Sequence, residues 1–184
     1  MPLAADTIDA PERRPVPRLR DGAAYPLLVF VALRVLISIA GVVFVGDHPP
    51  NPSAVGPGAP PVRYTQPATT GLHNAVDGMQ RWDAAWFQWI AAEGYGPDDA
   101  RGAFFPGYPS LIASADLVIP LDGADTATLI SNVAFALSLV VLFALSRFEF
   151  GDIASAKRAV VLFACLPTSF FFLAPLSEAP FVQL

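Results

Sequence analysis

Residues 81–90 read Arg81-Trp82-Asp83-Ala84-Ala85-Trp86-Phe87-Gln88-Trp89-Ile90. The chain has three tryptophans, and all of them lie here around one carboxylate. On a helix, Trp82, Trp86, Trp89 and Ile90 follow the i, i+4, i+7, i+8 spacing and share one face. Asp83 falls about 100° round from Trp82, at the border of that face. Tryptophan favours the membrane–water boundary, where its ring is buried and its N–H stays wet. Gly94-Tyr95-Gly96-Pro97 is a strong stop signal. The helix it ends has about 12 residues, too few to span a bilayer. The expectation is a helix lying along the interface with Asp83 at the water boundary.

The rest of the chain supports a membrane setting. Of 184 residues, 54% are hydrophobic and only 15% are charged, against roughly 25% charged in a soluble domain. Mean hydropathy is +0.49. The apolar residues form blocks too long and uniform for an ordinary core, so the class is all-α integral membrane, multi-pass. The 19 prolines and 13 glycines cluster outside those blocks. The net charge of -5 is less informative than its distribution. Arginine supplies every cation except Lys157, a bias that fits GC-rich coding and a bacterial cell membrane. Cys165 is alone inside an apolar run, so it forms no internal disulfide and reads as a packing residue.

Residues 1–24 are polar and proline-rich, with Arg13, Arg14, Arg18 and Arg20, and read as a disordered basic cytoplasmic arm. Tyr25 to Val45 is the first block of membrane-spanning length, read as an uncleaved signal anchor with a cytoplasmic N-terminus. Arg34 interrupts it. Its side chain can snorkel toward the inner interface, or face the bundle interior and meet a lipid phosphate. Residues 46–80 form a long loop whose prolines exclude regular structure over most of its length. His48 and His73 have no second ligand at zinc spacing, so no metal site is expected. The adjacent Asp98 and Asp99 either bind a divalent cation or are simply solvated. The prolines of Phe104-Phe105-Pro106-Gly107-Tyr108-Pro109 can open a helix that Pro120 ends. Phe104, Phe105 and Tyr108 read as packing residues. Asp116 is costly in that apolar stretch unless wet or paired. Further spans follow at Ala127 to Ser146 and Arg158 to Leu176. The ending at Leu184 resembles the opening of another helix, so the chain reads as a fragment of a larger protein.

Charge counting sets the topology. The connection with Arg147, Lys157 and Arg158 has the cation excess of a cytoplasmic loop, while the region from Asp47 to Arg101 lacks it. If residues 104–120 spanned the bilayer, the cationic connection would fall outside. A re-entrant or interfacial 104–120 puts it inside. The expectation is therefore about three spanning helices, within a membrane domain of residues 25–184. Residues 46–126 form a large extracytoplasmic loop with interfacial helices.

Several motifs, taken in order, resemble a known family. Arg81-Trp82-Asp83, Gly94-Tyr95, Phe104-Phe105-Pro106-x-Tyr-Pro109, Ser131-Asn132, Phe170-Phe171 and Ser177-Glu178 are similar to those of PIG-V-type mannosyltransferases, polytopic enzymes of the GT-C class. The match runs from Arg81 to Leu184, within what would be the N-terminal part of a GT-C fold. It implies inverting transfer of mannose from a polyprenyl-phosphate-linked donor to an acceptor hydroxyl on the extracytoplasmic face. Asp83 occupies the place of the acidic residue that accepts the hydroxyl proton. The family's tyrosine before Ser-Glu is Leu176 here, and its usual leucine before Tyr108 is Gly107. The implied partners are the lipid-linked sugar donor and the bilayer, with no nucleic acid and no cofactor.

Three candidate substrate-binding residues keep two readings each. Arg81 is a phosphate clamp or an interfacial anchor. Arg34 is a lipid-phosphate partner or a snorkelling cation. Glu178 is part of an acceptor site or a helix-end solvating group. Two other functional classes also stand: a transporter module, and a non-catalytic or truncated polytopic protein. Arg34 and scattered Ser and Asn residues are all that could line a transport path, which weakens the transporter reading.

Overall fold

The structure is a computed structural model that describes residues 22–44, 58–61, 64, 74–80, 82–96 and 100–182. Arg81, His48, His73, Asp98, Asp99 and residues 1–21 of the basic arm lie outside the described residues. Those described are helical, with no strand among them. In order they form α1 (Ala24–Phe44), α2 (Asn74–Asp77), α3 (Ala84–Glu93), a 3-10 turn (Ala100–Ala103), α4 (Gly107–Asp116), α5 (Gly123–Phe150), α6 (Ile153–Ala164), a second 3-10 turn (Ser169–Phe172) and α7 (Glu178–Phe181).

Among the described residues, two helices are long and apolar enough to cross a membrane, α1 and α5. Their surfaces are inverted relative to a soluble protein. Val133, Leu137, Val141 and Leu145 repeat every fourth residue along α5 and are all exposed. Leu28, Val31, Val35, Ile39 and Val43 are exposed on α1. The packed face of α5 instead carries Thr126, Ala127, Thr128, Ser131, Ala134, Ser138 and Ser146 beside three large residues, Phe135, Leu139 and Phe143. Small and hydroxylated residues on the packed side, with bulky aliphatics outside, is the pattern of helices that meet in lipid. Phe135 centres the core. It stacks on Phe172 at 5.4 Å and meets Phe30 and Phe163 at 6.2 Å.

Local signals set the ends of α5. The Asp122 carboxylate accepts from the Asp125 N–H at 2.9 Å and caps its start. Gly151, with φ +75°, closes its end through an N–H bond to the Arg147 carbonyl. Asp152 then caps α6 by accepting from the Ser155 N–H at 2.7 Å. Hydrogen bonds from Ser155, the side chain's first, hold the Asp152 carboxyl below the usual carboxylate range.

One end of the bundle gathers the basic connection and the start of α1. The Lys157 ammonium lies 5.1 Å from the Tyr25 ring centroid. A Cβ built on Gly22 would sit 3.0 Å from the Ile153 side chain and 3.1 Å from that of Phe143. At the opposite end α3, α4, the start of α5 and residues 174–176 share one buried cluster, containing Ala84, Phe87, Tyr108, Ile112, Ala127 and Leu176. Helix α4 has 10 residues, about 15 Å of rise and half a bilayer core. Asp116, its last residue, is exposed.

Two expectations need correction. Arg158 to Leu176 is not one helix. Helix α6 ends at Ala164, and Pro167, which has no N–H, stands in the break before the 3-10 turn at Ser169–Phe172. The Ser169 hydroxyl donates to the Phe163 carbonyl there. The chain still passes from the basic end to the opposite end, but in pieces. The tryptophan face also differs. Helix α3 begins at Ala84, so Trp82 precedes it, and the buried residues are Ala84, Ala85, Phe87, Gln88 and Ile90. Trp86 stacks on Phe104 at 5.2 Å, and the Arg101 guanidinium lies 4.3 Å from the Trp89 ring centroid. These rings brace the loop after α3 instead of forming one lipid-facing stripe, because Phe104 and Arg101 return over them.

Candidate functional site

Asp83 is exposed at the N-cap position of α3, and its side chain makes no capping hydrogen bond. The carboxylate is therefore not committed to holding its own helix. It lines an open cleft of about 640 Å³ together with Phe104, Phe105, Tyr108, Ser177 and Phe181. Phe105 and Phe181 are largely exposed at this cleft. A polar pair, Asp83 and Ser177, thus borders a predominantly aromatic wall.

Two features aim Asp83. The residue before it, Trp82, has φ +55°, in the left-handed region that only glycine enters readily. This turns the chain sharply into α3. It also sets the Trp82 ring against Phe170 at 5.9 Å and Phe171 at 5.7 Å. The second feature is buried. Gln80 is 2% exposed and donates to the Ala124 carbonyl at 3.0 Å and to the Thr128 hydroxyl at 3.1 Å. The Gln88 amide donates in turn to the Gln80 side-chain oxygen. The residues flanking Asp83 are tied by this network to the first turns of α5.

The opposite wall is held by hydroxyls. Tyr108 is 5% exposed. Its hydroxyl lies 2.9 Å from the Ala127 carbonyl and 2.7 Å from the Ser131 hydroxyl. Ser131 donates to the Leu176 carbonyl at 3.0 Å, and Asn132 donates to the Leu173 carbonyl at 3.2 Å. Burial pushes the Tyr108 phenol well above its ordinary range. The Ser131 hydrogen bond opposes that, and the negative charge of Glu178 adds to it. Glu178 itself is exposed at the start of α7, directly after Ser177.

Arg34 sits elsewhere. Its Nη2 donates to the Ala75 carbonyl at 3.3 Å, and Ser38 donates to the same oxygen at 3.2 Å. The guanidinium therefore turns toward α2 and the bundle. Its Nη1 is buried without a hydrogen-bond partner. Arg34 does not line the cleft.

The structure thus brings Asp83 and Ser177 to one cleft, leaves Glu178 exposed next to Ser177 but outside the lining, and leaves Arg34 against a separate face. Sequence reasoning missed Gln80 and Gln88, and it read Tyr108 only as packing. The available signal was a pair of amides flanking an apolar helix face, and a tyrosine between two prolines.

No family profile matches the chain, and no solved structure matches it. Curated proteins do. GPI alpha-1,6-mannosyltransferase 2 of Rattus norvegicus is 36% identical over 118 residues, 59% of this chain and 24% of the relative. Its counterpart in Cricetulus griseus is 35% identical and that of Mus musculus 34%, each over 122 residues, 61% of this chain and 24% of the relative. The chain is homologous to the PIG-V-type mannosyltransferases. It spans about a quarter of the length of the curated relatives it matches. These relatives are mammalian, so they lend no support to a bacterial origin.

Proposed function

We propose that this chain contributes to a membrane glycosyltransferase that moves mannose from a polyprenyl-phosphate-linked donor to an acceptor hydroxyl on the extracytoplasmic face, with inversion. The observation that carries the reading is Asp83, whose carboxylate caps no helix and which lines an aromatic cleft together with Ser177. The homology to mannosyltransferases supplies the sugar. In the reaction the acceptor oxygen attacks the anomeric carbon and the bond to the lipid phosphate breaks. The phosphate leaves with the electron pair, and Asp83 takes the hydroxyl proton. One displacement without a covalent intermediate inverts the anomeric centre.

The other proposed roles follow from position. Glu178, which follows the cleft-lining Ser177, is assigned to the acceptor site. Arg34 offers a buried, unpartnered Nη1 donor, the kind of group a lipid phosphate oxygen takes. Arg81, next to Trp82 in sequence, is assigned to phosphate binding by the fixed donor fork of its guanidinium. The basic end of the bundle, with Arg147, Lys157 and Arg158, is placed in the cytoplasm by the positive-inside bias. The cleft then opens on the far side.

The test is a transfer assay on membranes carrying the protein, with radiolabelled polyprenyl-phosphate mannose as donor. Label should pass to an acceptor in a protein-dependent way. Absence of transfer, with the protein inserted and the donor intact, contradicts the proposal.

A further inference from the structure

Helix α5 shows how its own polar side chains behave by default. Thr128 donates to the Ala124 carbonyl at 3.0 Å, Ser138 to the Ala134 carbonyl at 3.0 Å, and Asn132 to the Thr128 carbonyl at 2.6 Å. Each bonds back to the carbonyl four residues earlier, the ordinary resting place for Ser and Thr in a buried helix. Thr126 Oγ1 makes no hydrogen bond, and Asn132 adds one across to the Leu173 carbonyl. Ser131 makes no back-bond at all. It is fully buried and donates away from its helix, to the Leu176 carbonyl.

The reason lies four residues earlier. The carbonyl that Ser131 would otherwise use is that of Ala127, and the Tyr108 hydroxyl is on it at 2.9 Å. The same hydroxyl lies 2.7 Å from Ser131 Oγ. Two hydroxyl protons serve three short contacts. The Tyr108 proton faces both Ala127 O and Ser131 Oγ, so the Ser131 proton is left for Leu176. The Ala127 carbonyl also accepts its own helical N–H. Leu176 leads directly into Ser177 and Glu178.

We propose that Tyr108 and Ser131 are positioning residues: Tyr108 occupies the Ala127 carbonyl, turns the Ser131 hydroxyl across to the Leu176 carbonyl, and so fixes the Ser177-Glu178 corner at the cleft. Tyr108 does this from the cleft wall, so the contents of the cleft and the placement of the corner share one side chain. The consequence for transfer rests on the proposed function. The mechanical claim does not.

The test reads the corner directly. The native thiol is removed as Cys165→Ser, and a nitroxide is attached at Val182→Cys, an exposed position just past α7. Tyr108→Phe and Ser131→Ala should each raise label mobility, and the double variant should match Ser131→Ala, since one chain of bonds is being cut. Ser138→Ala removes a back-bond from the same helix and should leave mobility unchanged. Unchanged mobility in Ser131→Ala, or effects that sum in the double variant, overturns the proposal. So does an equal rise in Ser138→Ala, which would mark general loosening. In the transfer assay both variants should lower kcat about five- to tenfold per folded protein, the scale of one lost hydrogen bond. Wild-type kcat in both would separate the corner from catalysis. Undiminished transfer by Asp83→Asn would overturn the assigned base and leave the mobility result standing.

Discussion

Gln80 and Gln88 hold each other through their side chains across the segment that carries Asp83, and Gln80 extends the bond to Thr128 on α5. A buried amide is strongly favoured when its partners are present and costly when one is removed. Gln80→Ala should therefore destabilise the protein by about 1–3 kcal/mol, the cost of leaving buried polar groups unsatisfied. Thermal unfolding in detergent measures it. A change within error of zero would mean the network is not formed.

The backbone at Trp82 gives a second prediction with an unusual sign. Trp82→Ala and Trp82→Gly both lose the contacts to Phe170 and Phe171. Only the glycine also escapes the left-handed penalty at φ +55°. The glycine variant should be the more stable of the two, by about 1 kcal/mol. The alanine variant proving more stable would contradict the left-handed turn.

Tyr108 predicts an alkaline limit. Burial raises its folded pKa above the unfolded value of about 10. Below that value the phenol is neutral in both states, and its contribution to stability is fully present. As pH rises above about 10 the unfolded chain releases the proton while the folded one keeps it, so stability falls toward the folded pKa. Unfolding measured from pH 8 to 11 should show this decline, and Tyr108→Phe should lessen it. An identical decline in that variant would assign it to other groups.

Much of the membrane frame was legible in the sequence. The spans at Tyr25 to Val45 and Ala127 to Ser146 rest on length and hydropathy, which need no tertiary information. The third span was misread for the same reason. Hydropathy runs on through Cys165 to Phe172, but Pro167 and Ser169 give the backbone another path. The tryptophan stripe failed because periodicity assumes that the helix includes Trp82, whereas a left-handed residue precedes its start. Asp83 and Ser177-Glu178 were legible as motifs. Gln80, Gln88 and the Tyr108 hydroxyl were not, because their roles come from partners 8 to 48 residues away.

Topology can be read by labelling in a Cys165→Ser background. A cysteine at Leu121, exposed at the cleft end, should react with a membrane-impermeant maleimide from outside. A cysteine at Glu149, exposed near the basic end, should react only after permeabilisation. The reverse pattern would put the cleft in the cytoplasm.

The central claim is that Asp83 accepts a proton during sugar transfer. The direct measurement is transfer from polyprenyl-phosphate mannose by Asp83→Asn in membranes, normalised to inserted protein. The amide keeps the shape and loses the base, so the rate should fall by about 10²- to 10⁴-fold, the usual scale for a general base. Insertion and the Ser177-Glu178 corner should be unaffected. Transfer at the wild-type rate would remove Asp83 from the mechanism.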